Sequence, residues 1–223
     1  MKSYQNLVLL QNLYRLKAIG FHYIDPFSVN TIHEEKQTYT TPHSLMELNK
    51  NITNCYLCDL SKSRTQSMIG YGDTNADLMI LDYSVSQAQD TSHSYYCGRS
   101  GEVLKNMIEK VLNLSIEDVF LTHAIKCKPL KANKPSPSEW NSCKSYLFSQ
   151  LEFIKPRVIV TLGSDAYAHL TGDYDNFENV RGHLIDFKSY KLIPMYHPNH
   201  LLRNPELKKI TMSDLKTIKS SLS

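Results

Sequence analysis

The chain repeats one pattern, in which an apolar run of strand length precedes a stretch with helical spacing. The apolar runs cover residues 77–83, 119–125, 157–162 and 192–196. Apolar side chains between these runs recur every three or four positions, which is typical of amphipathic helices. Strands that alternate with helices form a largely parallel sheet with helices on both faces. We therefore predict an α/β fold, a three-layer α/β/α sandwich around a central, mainly parallel sheet, with ligands at the carboxyl ends of its strands.

Composition excludes several classes of protein. The 223 residues carry 25 Lys and Arg against 22 Asp and Glu, a formal charge of +3, and 41% are hydrophobic, as in ordinary folded domains. No apolar stretch approaches the roughly 18 residues of a membrane helix, and the N-terminus does not resemble a secretory signal. Five cysteines are too few for a disulfide scaffold. These features predict a folded cytoplasmic protein that does not enter a membrane.

The first 50 residues differ from the repeated pattern. Residues 4–19 have the spacing of one amphipathic helix, and residues 28–42 are polar and show no periodicity. We expect a helical N-terminal extension and linker over residues 1–50 and one α/β domain over residues 51–223.

Four of the five cysteines form a candidate metal site. Cys55 and Cys58 form a C-x2-C pair, while Cys127 and Cys143 lie at the end of a predicted strand and in the helix after it. Four thiolates bind either zinc or an iron–sulfur cluster. Cys127 and Cys143 are equally well explained as small buried residues. The spacing alone leaves these interpretations open, and Cys97 stays unpaired.

Several stretches of the chain occur in an order and at separations that identify a family. They are the Cys55–Cys58 pair, Gly98–Gly101 with the helix after it, HAIKCKP (123–129), the trio Pro135, Glu139 and Cys143, KPRVIVTLG (155–163) and YHPNHLLRNP (196–205). Together they resemble the family-four uracil-DNA glycosylases, which contain a four-iron, four-sulfur cluster. The resemblance implies a uracil-DNA glycosylase-like fold, a 4Fe-4S cluster on Cys55, Cys58, Cys127 and Cys143, and DNA containing uracil or another damaged base as the partner.

The chain departs from this family at the expected base site. After the first strand the family carries Gly-Glu-Ala-Pro-Gly, whose glycines let backbone amides approach the base closely. Residues 82–86 are Asp-Tyr-Ser-Val-Ser instead. The resemblance assigns base binding to Gln89, to Tyr96, which can stack on a base, and to His123. His123 replaces an asparagine that reads uracil through an adjacent donor and acceptor, and a neutral imidazole does not offer that pair side by side.

His197 is the expected catalytic residue. In related enzymes the histidine of this His-Pro motif donates to uracil O2 as negative charge builds on the departing base, so that it acts mainly on the transition state. Asp82 and Asp90 are the nearby carboxylates that can orient water. Either of them is equally explained as a helix cap or a loop residue.

Basic and apolar residues follow His197. Arg203 and Lys208 are candidate phosphate contacts. Leu201 and Leu202 lie where related enzymes push an apolar wedge into the gap that a flipped nucleotide leaves, and Leu201 is the one assigned to DNA binding. A solvated helix face and packing of the last helix explain the same residues equally well.

The leading hypothesis is therefore a DNA repair enzyme that hydrolyses the N-glycosidic bond of a flipped uracil or other damaged base. One alternative is a catalytically impaired iron–sulfur protein that binds DNA or recognises damage. Another is a structural cluster protein whose N-terminal helix contacts a repair or replication protein.

Overall fold

The computed structural model describes residues 42–130 and 134–222. The predicted N-terminal helix and nearly all of the predicted linker lie outside the described residues, so the division at residue 50 stays a prediction. Within the described ranges, no helix is both long and apolar enough to cross a bilayer.

The described residues contain five strands and eight α-helices. The strands are β1 (Leu78–Ser84), β2 (Phe120–Ile125), β3 (Val158–Leu162), β4 (Ile185–Phe187) and β5 (Tyr190–Met195). The helices are α1 (Leu45–Thr53), α2 (Gln87–Ser92), α3 (Gly98–Asn106), α4 (Pro137–Ile154), α5 (Gly163–Thr171), α6 (Phe177–Val180), α7 (Pro198–Arg203) and α8 (Lys208–Leu222). Helix α3 continues as a π-helical segment, Met107–Leu112, and short 3-10 turns cover Asp59–Lys62 and Pro205–Leu207.

The five strands form one sheet in the order β2-β1-β3-β5-β4. All neighbouring pairs are parallel except β4 and β5, which are antiparallel. The register pairs Asp82 of β1 with His123 of β2. Since residues opposite each other on neighbouring strands point to the same face, these two side chains lie side by side.

Helices cover both faces of this sheet. Leu147 of α4 and Ala166 of α5 belong to the core on one face, while Leu104 of α3 and Leu215 of α8 belong to the core on the other. The predicted three-layer sandwich with a mainly parallel sheet is therefore confirmed. Alternation along β1 directs Asp82 to the face of α3 and α8 and Tyr83 to the face of α4 and α5.

The predicted strands are confirmed to within two residues at each end. The sequence patterns do not predict β4, α2, α6 or α7. Strand β4 has three residues and is only half-buried, and α2 has the sequence QAQDTS, so neither carries an apolar period. Helix α2 instead depends on a capping box between Ser86 and Gln89.

Candidate active site and cysteine cage

A cavity of about 450 Å³ opens at the carboxyl ends of β1, β3 and β5. Its walls include residues 84–86 at the end of β1, residues 163–165 at the start of α5, and residues 196–200 after β5. Loops that follow parallel strands meet at one edge of a sheet, which brings together segments that are distant in sequence. The cavity therefore lies where the sequence predicts a ligand site.

His197 and Asp82 line this cavity and contact each other. Nε2 of His197 lies 3.3 Å from Oδ2 of Asp82. The backbone N–H of Asn199 donates to Nδ1 of the same ring at 3.0 Å, because His197 is the N-cap of α7 and Pro198 starts that helix. Since Nδ1 accepts this bond, the proton of the neutral imidazole lies on Nε2, which donates to Asp82.

The two side chains change each other's pKa. Burial raises the pKa of Asp82, but attraction to His197 outweighs burial, and the pKa lies below its usual value. Burial lowers the pKa of His197, but the Asp82 carboxylate outweighs it, and the pKa lies above its usual value. The cavity therefore contains an ionised carboxylate beside an imidazole that has Nε2–H in either protonation state.

His123 lies behind this pair and does not line the cavity. Its side chain is fully buried, and its Nε2 lies 3.9 Å from Oδ2 of Asp82. The ring of Tyr95 covers the imidazole, with ring centroids 5.3 Å apart and planes at 31°. Burial lowers the pKa of His123 to about 4, and neither ring nitrogen has a hydrogen-bond partner among the described residues. The ring is therefore neutral, and Tyr95 separates it from the base cavity.

Gln89 lines the cavity, but both ends of its amide are already bonded. Its Oε1 accepts from the backbone N–H of Ser86, and its Nε2 donates to the carbonyl of Tyr95. Gln89 therefore fixes the loop that holds Tyr95.

Tyr96 and Asp90 do not line the cavity. Tyr96 packs edge-on against Tyr71, and its buried hydroxyl has no partner within the described ranges. Asp90 accepts hydrogen bonds from the backbone N–H and the hydroxyl of Thr65, at 3.0 and 2.8 Å. The structure thus brings Asp82, His197 and Gln89 together at the cavity. Tyr96 and Asp90 lie outside its lining.

The candidate DNA contacts lie on α7 and α8. Leu201 is 1% exposed and packs inside, whereas Leu202 is 38% exposed. Arg203 and Lys208 are exposed. Of the two leucines that the sequence offers as a wedge, the exposed one is therefore Leu202, and Leu201, which was assigned to DNA binding, packs inside.

Cys55, Cys58, Cys127 and Cys143 line a second, mainly apolar cavity. Thiols from three parts of the chain thus converge, as the cluster hypothesis requires. No three His, Cys, Asp or Glu side chains in the described part of the chain lie close enough to ligate one metal ion. A cluster of several irons spaces its ligands more widely than one ion does, so four thiols without other ligands fit an iron–sulfur cluster.

Arg64 also belongs to this cage, although no sequence pattern above predicts it. Its Nη1 donates to Sγ of Cys127 at 3.0 Å, and its Nη2 donates to the carbonyls of Thr53 and Cys55. Burial raises the pKa of Cys127, and Arg64 partly offsets this effect. The guanidinium therefore joins two of the cysteine segments and favours the thiolate that an iron centre needs.

Lys126 is buried between the cage and the base cavity. Its backbone N–H donates to Sγ of Cys143 at 3.4 Å, and its amine donates to Thr122, to Gln150 and to the carbonyl of His123. Burial lowers the pKa of Lys126 to about 7. This amine ties β2 to α4, which carries Gln150, at the point where the strand reaches the cysteines.

Comparison with known proteins identifies the family. The model of the uracil DNA glycosylase superfamily matches residues 69–216. The chain belongs to this superfamily. It is 31% identical over 180 residues to a type-4 uracil-DNA glycosylase of Saccharolobus solfataricus, over 77% of this chain and 83% of that protein. A type-4 uracil-DNA glycosylase of Thermotoga maritima is 31% identical over 185 residues, 81% of this chain and 96% of that protein.

One relative is a longer protein of a different kind. A DNA polymerase of Bacillus phage SP01 is 27% identical over 163 residues, which are 73% of this chain but 18% of the polymerase. The family predicted from the sequence is thus confirmed, and a similar region also occurs within a polymerase chain.

Proposed function

We propose that this protein is a DNA repair enzyme that hydrolyses the N-glycosidic bond of a flipped uracil or other damaged base. The observation that carries the proposal is the position of His197, whose imidazole is fixed by Asn199 and Asp82 and lines a cavity large enough for a nucleobase. The type-4 relatives support the same reaction.

The proposed chemistry follows from the charges that develop. Breaking the bond leaves positive charge on the sugar and negative charge on the departing base. A preorganised N–H donor stabilises that negative charge mainly in the transition state, where one donor contributes about 3 to 4 kcal/mol. In the structure this N–H donates to Asp82, so the proposed reaction requires it to turn from the carboxylate to the departing base.

The cage residues would hold a 4Fe-4S cluster on Cys55, Cys58, Cys127 and Cys143. When bound, such a cluster supplies a covalent tie between segments that are far apart in sequence. Arg64 and the backbone of Lys126 would donate to two of the sulfurs. This assignment is supported by the convergence of the four thiols and by the family.

The proposed partner is DNA. Arg203 and Lys208 would contact its phosphates, and Leu202 would enter the DNA beside the flipped nucleotide.

We also propose a cytoplasmic location and contact of the N-terminal segment with a repair or replication protein. The polymerase relative supports the association with replication.

The test is base excision by anaerobically purified protein on single- and double-stranded oligonucleotides that carry uracil, hypoxanthine or xanthine. We expect His197→Ala to lower the excision rate by about a hundredfold or more while DNA affinity is kept. His200→Ala is the matched control, because His200 also lines the cavity but does not contact Asp82. It should keep the wild-type rate.

The second candidate function is a damage-binding protein without turnover. It is favoured by residues 82–86, which replace the family's glycines with residues that carry side chains. Salt-sensitive DNA binding without an abasic product from any substrate would establish this alternative and refute the enzyme.

A further inference from the structure

A groove of about 310 Å³ opens between α3 with its π-helical extension and the last two helices, α7 and α8. It shares no lining residue with the base cavity. Three buried residues, Leu201, Thr211 and Leu215, form its floor. Its walls are half-buried or exposed apolar side chains, namely Val103, Met107, Val111, Leu202 and Met212.

The walls of this groove leave apolar surface uncovered. Val103, Met107 and Val111 recur every four positions and so lie along one face of their helix. Across the groove, Leu202 is 38% exposed and Met212 is 43% exposed. Exposed apolar side chains around a concave surface are typical of sites that bind another protein, and methionine adapts to the shape of a partner.

The charged residues of the lining are all basic. They are Lys110 and Lys208, and both are exposed. Within the described ranges neither of them forms an ion pair. The hydroxyl of Thr211 donates to the carbonyl of Leu207 in its own helix, so it is not free for a ligand. A molecule that fills the groove therefore meets apolar walls and two ammonium groups.

The surroundings of the groove are basic as well. Its two sides, residues 98–112 and 198–222, carry eight Lys and Arg against four Asp and Glu, an excess of four, whereas the whole chain has an excess of three. The one carboxylate of α8, that of Asp214, is 5% exposed and is bonded to Arg181. The charge that complements this surface is negative.

The lining favours a protein segment over a nucleic acid. Single strands stack their bases on aromatic side chains. Among the described residues that line the groove, none is aromatic. A duplex presents phosphates and sugars, which would leave the apolar walls uncovered. An amphipathic helix presents apolar side chains every three or four positions and carries polar ones beside them, so it covers both features.

We propose that this groove binds an acidic amphipathic helix of a partner protein. Apolar side chains of that helix lie between Met107 and Met212, and its carboxylates contact Lys110 and Lys208. The proposal goes beyond base excision and does not depend on it. Because Leu202 and Lys208 are also the proposed DNA contacts, the helix and DNA exclude each other on this surface.

The probe is a fluorescein-labelled synthetic peptide of about 15 residues, with leucines on one helical face and glutamates on the other. A second peptide has lysines in place of the glutamates. A third has the acidic composition in an order without an apolar face. We expect fluorescence anisotropy with the full chain to show that the first peptide binds at least about tenfold more tightly than either of the others.

Two variants of α8 locate the binding surface. Met212 and Ile210 are 43% and 42% exposed, but only Met212 lines the groove. Met212→Glu should weaken binding of the acidic peptide by about tenfold or more, because it places a carboxylate in the apolar groove beside the acidic helix. Ile210→Glu adds the same charge to the same helix at an exposed position and should change the dissociation constant by less than about threefold.

Lack of saturable binding to wild type, or equal affinity for the acidic and lysine peptides, overturns the proposal even if a variant does not fold. Equal weakening by Met212→Glu and Ile210→Glu also overturns it, because the peptide then binds elsewhere. A single-stranded oligonucleotide whose binding depends on Met212, while the peptide does not bind, assigns the groove to nucleic acid instead. Displacement of a bound oligonucleotide by the acidic peptide supports the proposal, and simultaneous binding of both overturns their exclusion.

Discussion

The cysteine cage and the base cavity lie next to each other along β2 but differ in how closely they follow their family. The cage has all four cysteines of the family pattern, and they converge on one cavity. At the base cavity Asp82 stands in place of a family glycine, and His123, in place of an asparagine, lies behind Asp82 outside the lining. Cys127 follows His123 by four positions and lies just beyond the end of β2.

The difference follows from what each region supports. The cage joins the segment before β1 to β2 and α4, so the loss of one thiol removes a contact between parts of the fold. The residues of the base cavity lie on strand ends and loops that the two hydrophobic cores already hold. Their chemistry can therefore change while the scaffold stays.

The largest expected effect tests the structural role of the cage. A 4Fe-4S cluster gives a protein a brown colour and an absorbance at about 400 nm, and Cys127→Ala should remove both. This variant should also lower the free energy of unfolding by more than about 4 kcal/mol, because loss of a metal ligand is among the few single changes of that size. Iron analysis and denaturant unfolding under nitrogen measure both effects.

Cys97→Ser is the control for that variant. Cys97 lines the base cavity and not the cage. Wild-type colour and stability are expected. A colourless wild type with stoichiometric zinc, or a Cys127→Ala protein with full iron content, would show that the cage does not hold an iron–sulfur cluster on this thiol.

The second prediction concerns His123, which lies between the two regions. Its pKa is about 4 when folded, against an ordinary value of 6.5. Between these values the unfolded chain binds a proton that the folded chain does not, so acid destabilises the fold. We expect the free energy of unfolding to fall by about 2 kcal/mol between about pH 7 and about pH 5 from this residue.

His123→Asn restores the family residue and should make that loss shallower by about the same amount. His197 acts in the opposite direction, since its raised pKa adds stability below its unfolded value that is lost as pH rises. It is present in both proteins and largely cancels from their difference. Urea midpoints of the two proteins at both pH values measure the effect, and parallel pH profiles would contradict it.

The sequence predicts the scaffold better than the cavity. The strands are found because Val158–Leu162 and similar runs are apolar throughout, as parallel strands buried on both faces must be. The C-x2-C spacing of Cys55 and Cys58 is a short local signal, whereas Cys127, Cys143 and His197 are assigned through the family resemblance. The sequence indicates Asp82 as a carboxylate near the site but does not predict its contact with His197. That contact joins β1 to the end of β5, so it depends on the order of the strands in the sheet.

Other parts of the site have no local signal. Tyr95 covers His123 because of the path of the loop after α2, and no period or motif reports that path. The exposure of Leu202 rather than Leu201 depends on the rotation of a six-residue helix. Arg64 follows the C-x2-C pair closely, so a basic residue near a cysteine motif was the one available signal for it.

The smallest of these effects tests how far the cage depends on residues that are not ligands. Arg64 makes three hydrogen bonds, to Sγ of Cys127 and to the carbonyls of Thr53 and Cys55. Removal of a residue that orients a metal ligand lowers metal affinity by about 10- to 100-fold. We expect Arg64→Met to retain the cluster on purification but to lose its absorbance about tenfold faster than wild type in the presence of an iron chelator.

Arg64→Lys separates the two contributions of this side chain. Lysine keeps the positive charge beside Cys127 but cannot donate in the planar fork that reaches three acceptors. If geometry dominates, Arg64→Lys loses the cluster nearly as fast as Arg64→Met. If charge dominates, it behaves like wild type. Equal rates in all three proteins would mean that the four thiols hold the cluster without help from Arg64, and the cage would then depend on its ligands alone.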